Sequence, residues 1–241
     1  MSAEVTQLHC NDLVVEVAQK NIKNLHLRVY PPHGQVRVSA PKTMALDTIQ
    51  VFVTSRLDWI KKQQIKIAAQ KPEAPKKFVT RESHCFRGER YQLNVIETSR
   101  AARVELNHGM IDLYVRPGSS MEKRGALLDA WYRQQLKQAL PPLIEKWEKI
   151  MEVKVDEFGI KKMKTRWGTC NPNAKRIWLN LELVKKPDDC LEYVVVHEMV
   201  HLLERSHNSR FVALMDQFLP QWKSYKDDLN RQPVKHDDWD L

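Results

Sequence analysis

The five residues His197-Glu198-Met199-Val200-His201 restrict the chain around them more than any other stretch of the sequence. An α-helix turns about 100° per residue, so positions four apart share a face and both imidazoles can reach one cation. The flanks suit a helix that is mostly buried: Leu191, Val194, Val195 and Val196 come before, Leu202 and Leu203 after. Pro187-Asp188-Asp189 supplies the start, since an aspartate caps free N–H groups and suits the positive end of the helix dipole. Two imidazoles so placed can hold one Zn²⁺. Glu198, beside the first, stands where it can take a proton from water at the metal's open position. The plainer alternative is a core helix that carries two histidines for packing.

A zinc site needs a third ligand. His207 follows His201 by six residues, which on a continuous helix would turn it about 240° away. The helix must therefore end near Glu204-Arg205-Ser206 and the chain fold back. Ser206 and Asn208 suit such a turn, and Asn208 or Ser209 is expected to cap a following helix with Phe211, Leu214, Met215 and Phe218 as its apolar stripe before Pro220. If His207 is only a turn residue, Asp216 on that next helix is the substitute ligand.

Composition fits a soluble intracellular enzyme. A chain of 241 residues can bury a sizeable core in one or two domains, and no apolar run approaches the roughly eighteen residues of a membrane span. Met1-Ser2-Ala3-Glu4-Val5-Thr6-Gln7 has neither the basic start nor the apolar stretch of a signal peptide, so the expected location is cytoplasmic. Cys10, Cys85, Cys170 and Cys190 are widely spaced, with no Cys-x-x-Cys pair. That argues against a cysteine zinc site, a disulfide framework and a nucleic-acid deaminase, and Cys170 reads as a packing residue.

The formal net charge of +9 gathers in two stretches, one from Lys61 to Arg90 and one from Lys161 to Arg176. Such stretches either meet nucleic-acid phosphates or are solvated faces of a basic protein. No zinc finger or stacking motif accompanies them, so the second reading is preferred and a nucleic-acid partner is not favoured.

Along the chain, Leu13 to Val17, Leu25 to Tyr30 and Gln35 to Ala40 alternate as strands, with a turn at Pro31-Pro32-His33-Gly34. They predict an N-terminal antiparallel sheet. A helix is expected from Leu46 to Ala69, with Ile49, Phe52, Val53, Leu57 and Ile60 on its apolar face, and then a connector at Lys71 to Lys77. Hairpin-like segments follow at Arg90 to Glu97 and at Arg103 to Val115, the latter turning at Asn107-His108-Gly109. Met121 to Met151 reads as helix interrupted at Pro141-Pro142. Ile160 to Thr169 and Arg176 to Val184 read as a hairpin leading into the histidine helix, joined by Asn171-Pro172-Asn173-Ala174. No repeat is apparent, and Lys235 to Leu241 form an acidic tail.

The run Thr165-Arg166-Trp167-Gly168-Thr169-Cys170, then Ile177-Trp178-Leu179-Asn180, then Tyr193 to Leu202 through the histidine motif, then His207-Asn208 and Phe211, closely resembles the YgjP-like predicted metal-dependent hydrolases. These group with SprT-like and minigluzincin-like zinc metallopeptidases. The likeness is dense from about Lys162 to Trp222 and weaker through Gly34 to Pro41 and Trp59-Ile60, with Thr169 where Ser is usual and Met199 where Leu is usual. It implies a Zn²⁺-dependent peptidase with His197, His201 and His207 as ligands and Glu198 as general base.

The expected fold class is then α+β: an N-terminal antiparallel sheet plus helix over residues 1–71, a zincin-like domain over 78–234 with a short sheet and the HExxH helix, and the tail 235–241. In zinc peptidases the strand before such a helix commonly holds the substrate as an added strand. Asn180 is a candidate to hydrogen-bond a bound peptide and Arg166 to assist an oxyanion, the alternative for each being a structural role. Glu182, Glu192 and Asp216 are eligible to orient the imidazoles. Two other readings stand beside the peptidase: a zinc hydrolase of a non-peptide amide or ester, and a DNA-associated, SprT-like protein-processing or binding module.

Overall fold

Two sets of alternating strands each build a four-stranded sheet on the same plan. The structure is a computed structural model that describes residues 5–10, 12–30, 33–69, 76–163 and 166–231. Pro31-Pro32 of the expected turn, residues 71–75 of the expected connector, Thr165 of the family-like motif and the tail lie outside the described residues. Contacts divide the chain into two units, one within Met1–Glu73 and one within Ala74–Val234.

In the first unit, β1 (Val5–Cys10) and β2 (Leu13–Lys20) form a hairpin, as do β3 (His26–Tyr30) and β4 (Gln35–Pro41). The second hairpin docks with β4 parallel to β2, giving the order β1-β2-β4-β3. Val15 and Val17 on β2, with Val36, Val38 and Ala40 on β4, alternate onto one buried face. Ile49 and Val53 of α1 (Leu46–Ser55) and Ile60 of α2 (Leu57–Ala69) complete that core. The N-terminal sheet is therefore mixed, not antiparallel throughout, and begins one strand earlier than expected. Alternation says which residues share a face, and leaves open which strand lies alongside. The single helix expected over this stretch is two, because at Arg56 the backbone leaves the helical region (φ −111°, ψ 8°) and its N–H bonds three residues back to Val53 at 2.9 Å.

In the second unit, β5 (Ser83–Phe86), β6 (Glu89–Glu97), β7 (Arg103–Asn107) and β8 (Met110–Val115) repeat the arrangement: two hairpins, a parallel central pair and the order β5-β6-β8-β7. Arg87-Gly88 and His108-Gly109 make the hairpin turns with φ of 50°, 82°, 41° and 80°, the left-handed geometry of tight two-residue turns. His108 is thus a turn residue.

α3 (Met121–Met151) runs through Pro141 and Pro142 without interruption. Both prolines are exposed, as are Lys137 and Gln138, whose carbonyls lose their helical donors and face water instead. Leu136, Leu140, Ile144 and Trp147 hold the other face in the core. Beyond it, β9 (Glu157–Lys161), β10 (Gly168–Asn171) and β11 (Arg176–Asn180) form a three-stranded sheet with β11 central, antiparallel to β10 and parallel to β9. The expected hairpin is therefore shorter: the chain leaves the sheet after Lys161, re-enters at Gly168, and winds into a 3-10 turn at Leu181–Lys185. Three helices follow: α4 (Asp188–Val200), α5 (Ser209–Phe218) and α6 (Trp222–Arg231). The molecule is mixed α+β with small sheets, and no helix among the described residues is long and apolar enough to cross a membrane.

Candidate metal centre

Leu191 and every residue from Tyr193 to Val200 on α4 are buried, because the helix packs against α3, α5, α6, β10 and β11. A helix enclosed in this way is apolar nearly all round, which makes His197 and Glu198 costly inhabitants. Pro187 is its N-cap and no side chain caps it, so Asp188 and Asp189 serve only as charges in the first turn.

The far end of α4 turns back on itself. His201 is the C-cap, and the N–H groups of Leu202 and Leu203 donate to the carbonyls of Met199 and Val200 at 3.0 and 2.9 Å. Regular helix thus ends at Val200, somewhat before the expected stop, and a turn continues to Glu204, whose N–H reaches Val200 at 2.9 Å. Glu204 organises the reversal. Its carboxylate accepts from Ser206 N–H at 3.1 Å, and its carbonyl accepts from His201 Nδ1 at 3.1 Å. Asn208 then caps α5 by accepting from Phe211 N–H at 3.0 Å.

This path returns His207 to the rings of α4. Centroids of the three imidazoles lie 5.1, 5.0 and 4.7 Å apart, and the Phe211 ring meets them at 4.9, 4.9 and 4.6 Å. One ligand nitrogen from each lies within 4.8 Å of the others. His197 Nε2 faces His207 Nε2 at 3.0 Å, while His197 Nδ1 is buried with no hydrogen-bond partner. A tetrahedral zinc with nitrogens at about 2.0–2.1 Å would set them about 3.3 Å apart, so the residues fit the ion. The Glu204 carbonyl can only accept, so His201 carries its proton on Nδ1 and keeps Nε2 as a donor atom for metal.

The electrostatics point the same way. Burial pushes His197 down to about 3, with the His201 and His207 rings and the Lys226 ammonium adding to the effect. Burial also lowers His201, against the Glu204 and Arg205 backbone, and it lowers His207. All three rings are therefore neutral at neutral pH, the form that binds metal. Burial pushes the Glu198 carboxyl up to about 8, with the Arg166 guanidinium opposing it. Glu198 rests directly on the backbone of Gly168, where an added Cβ would lie 2.6 Å from Oε1 and 2.7 Å from Cγ.

Arg166 is exposed, in the crossover between β9 and β10, and acts on Glu198 through charge. Asn180 corrects its expected role: it is fully buried, and all four hydrogen bonds of its amide go to Met163, Arg166 and Glu182, which leaves nothing for a bound peptide. Asp216 is turned away from the cluster, accepting from Trp222 Nε1 at 2.8 Å and pairing with Lys223 at 3.3 Å. Glu192 holds Lys146 and Trp147, and Glu182 holds Lys185, so the orienting contact that the structure provides is the Glu204 carbonyl. Burial, and then Glu198, push the Cys170 thiol up to about 12, which keeps it protonated beside the cluster. Glu204 and Gly168 were not singled out by the sequence; a glycine opening a strand is a sign of close backbone approach, whereas Glu204 carries no signal beyond its place in a turn.

The family model described as YgjP-like, metallopeptidase domain, matches residues 23–232. Among solved structures, the metallopeptidase zymogen of Pyrococcus abyssi abylysin is similar at 19% identity, over 36% of this chain and 89% of that chain, with a TM-score of 0.34. No curated protein matches the chain.

Proposed function

The chain belongs to the YgjP-like family, the match spanning residues 23–232, and from that premise we propose that it is a zinc-dependent metallopeptidase with Glu198 as its general base. The observation that carries the reading is the convergence of three imidazoles beside one buried carboxyl. His197, His201 and His207 hold Zn²⁺. When bound, the ion supplies a charge that acidifies water and polarises a substrate carbonyl.

Glu198 takes the proton of the attacking water as its oxygen bonds to the peptide carbon. It then passes that proton to the amine as the C–N bond breaks, so one residue is base and then acid. That first step needs Glu198 as its carboxylate, against the burial that holds the carboxyl at about 8, and a divalent charge held by the three histidines would favour that form. Gly168 backs the carboxyl, and Arg166 favours the negative charge that develops on the substrate oxygen. β11, the strand that leads into α4, is paired on both sides, so an extended peptide or protein substrate would add at β10, an edge strand of that sheet, by a pairing that tolerates many sequences. In this reading α4 is the HExxH helix of a zincin-like domain over 78–234, with 1–71 as a separate β-rich region. Four free cysteines suit a cytoplasmic location.

Zinc analysis together with digestion of a denatured protein, wild type beside Glu198→Gln, tests the reading. Stoichiometric zinc in both and cleavage by the wild type alone is the expected result. Cleavage by the variant removes Glu198 from its role. Zinc-dependent turnover of small esters or amides without cleavage of unfolded protein replaces the peptidase with a non-peptide hydrolase, and zinc without any turnover replaces it with a binding module.

A further inference from the structure

Asn180 ends β11 at 0% exposure. Its Oδ1 accepts from the N–H groups of Met163 and Glu182, both at 3.2 Å, and its Nδ2 donates to the carbonyls of Met163 at 2.9 Å and Arg166 at 2.8 Å. Its own backbone N–H donates to the Trp167 carbonyl at 2.7 Å. Met163, Arg166 and Trp167 belong to no strand, so this one residue does for the crossover what a ladder partner does for a strand. It pins the crossover near both ends, just after β9 and just before β10.

The β10 end of that crossover touches Glu198. The Gly168 backbone lies so close to the carboxyl that a methyl group cannot be placed between them. That backbone is held by two bonds from Asn180, one from its amide to the Arg166 carbonyl and one from its own N–H to the carbonyl of Trp167, the residue beside Gly168.

We propose that Asn180 is a positioning residue for the chemistry of Glu198: its buried amide fixes the crossover so that Gly168 backs the carboxyl. The proposal rests on the reading of Glu198 as general base. A residue that merely filled space would be replaceable by one of equal size, whereas Asn180 is needed as a double donor and double acceptor at once. An aspartate keeps the shape and the acceptor, loses both N–H groups and sets its oxygens against two carbonyls.

Asn180→Asp, Gly168→Ala and the double variant, each in the full zinc-loaded chain, test this by steady-state cleavage of an unstructured peptide and by amide exchange. Asn180→Asp is expected to keep its zinc, to leave KM within about twofold and to lower kcat on the order of tenfold. Exchange is expected to quicken over residues 163–168 and not in α4. Because Asn180 acts through the placement of Gly168, the double variant is expected to lose less than the product of the single losses. Wild-type kcat in Asn180→Asp, multiplying losses in the double variant, or unchanged exchange over 163–168 each overturns the proposal. Should the aspartate variant not fold, Asn180→Ser, which keeps one donor and one acceptor without a buried charge, carries the same measurements. A zinc-loaded wild type that cleaves no peptide disposes of the peptidase reading instead, and exchange over 163–168 then decides the role of Asn180 by itself.

Discussion

Burial at the last turn of α4 keeps Glu198 protonated to about pH 8 in the metal-free protein, while a divalent ion beside it favours the carboxylate. Zinc uptake at pH 7 should therefore expel a proton from the wild type that Glu198→Gln does not hold. Calorimetric titration in buffers of different ionisation enthalpy reads the difference, and equal proton release from the two proteins would show that Glu198 does not sense the metal. Gly168→Ala presses a methyl group into the space of the same carboxyl, within 2.6–2.8 Å of its atoms; zinc should stay and kcat should drop on the order of a hundredfold, as displacement of a catalytic group by about an ångström does. His207→Ala removes one of three nitrogens and should abolish zinc retention through gel filtration, and full occupancy in that variant would give the ligand role to another residue. At this scale the nearness of His197 to His201 is legible from spacing alone, since helical period puts positions four apart on one face. His207 is legible only as one of two candidates, because the reversal that returns it is held by backbone bonds to Val200 and by the Glu204 carboxylate on Ser206 N–H, local contacts that leave no signature in the spacing. Asn180 shows the same limit: a polar residue next to a site reads equally as a substrate contact or a structural one until its four partners are found.

Gly88 shows how one element positions another. The β5–β6 turn docks on the start of α4, with Arg87 N–H donating to the Val184 carbonyl at 2.9 Å and Gly88 N–H to the Lys185 carbonyl at 3.2 Å. A Cβ at Gly88 would meet Pro187 Cγ at 2.9 Å and its Cα at 3.2 Å, on a backbone with φ of +82°. Gly88→Ala should thus cost about 1–3 kcal/mol, read as a lower denaturant midpoint with an unchanged slope; a midpoint within about 0.3 kcal/mol of wild type would mean that the turn simply lifts off. Among elements, strands and helices themselves are legible wherever period and turn chemistry agree, as at His108-Gly109. Partners are not. The parallel pairing of β2 with β4, like that of β6 with β8, depends on which edge a second hairpin meets, and α3 continues past Pro141 because tertiary packing of its buried face outweighs a local penalty on the exposed one.

Across the whole chain the two four-stranded sheets share strand order and pairing sense without a visible repeat in sequence, and the first closes a core among its own residues. The histidine cluster belongs to the second unit alone, so metal should stabilise the unit within Ala74–Val234 and leave the unfolding of the other where it is. At a free zinc level a hundredfold above Kd the gain is about 2.7 kcal/mol. The pH dependence of the metal-free protein follows from two opposed shifts. Glu198 is raised from 4.5 to about 8, so between those values the folded state holds a proton that the unfolded state has lost, and stability falls as pH rises through the window. His197 is lowered from 6.5 to about 3, so there the unfolded state holds the extra proton, and stability falls as pH drops below 6.5. The two slopes cancel between about 4.5 and 6.5, while the lowered His201 and His207 add to the loss on the acid side. Chelator-treated protein should therefore be most stable near pH 6.5 and weaker at pH 8. Glu198→Gln removes the alkaline decline and keeps the acid one, and bound zinc, by favouring the carboxylate, flattens the decline in the wild type. Thermal unfolding from pH 4 to 9, with and without chelator, measures all of this; an alkaline decline that persists in Glu198→Gln would place its origin in some other buried group.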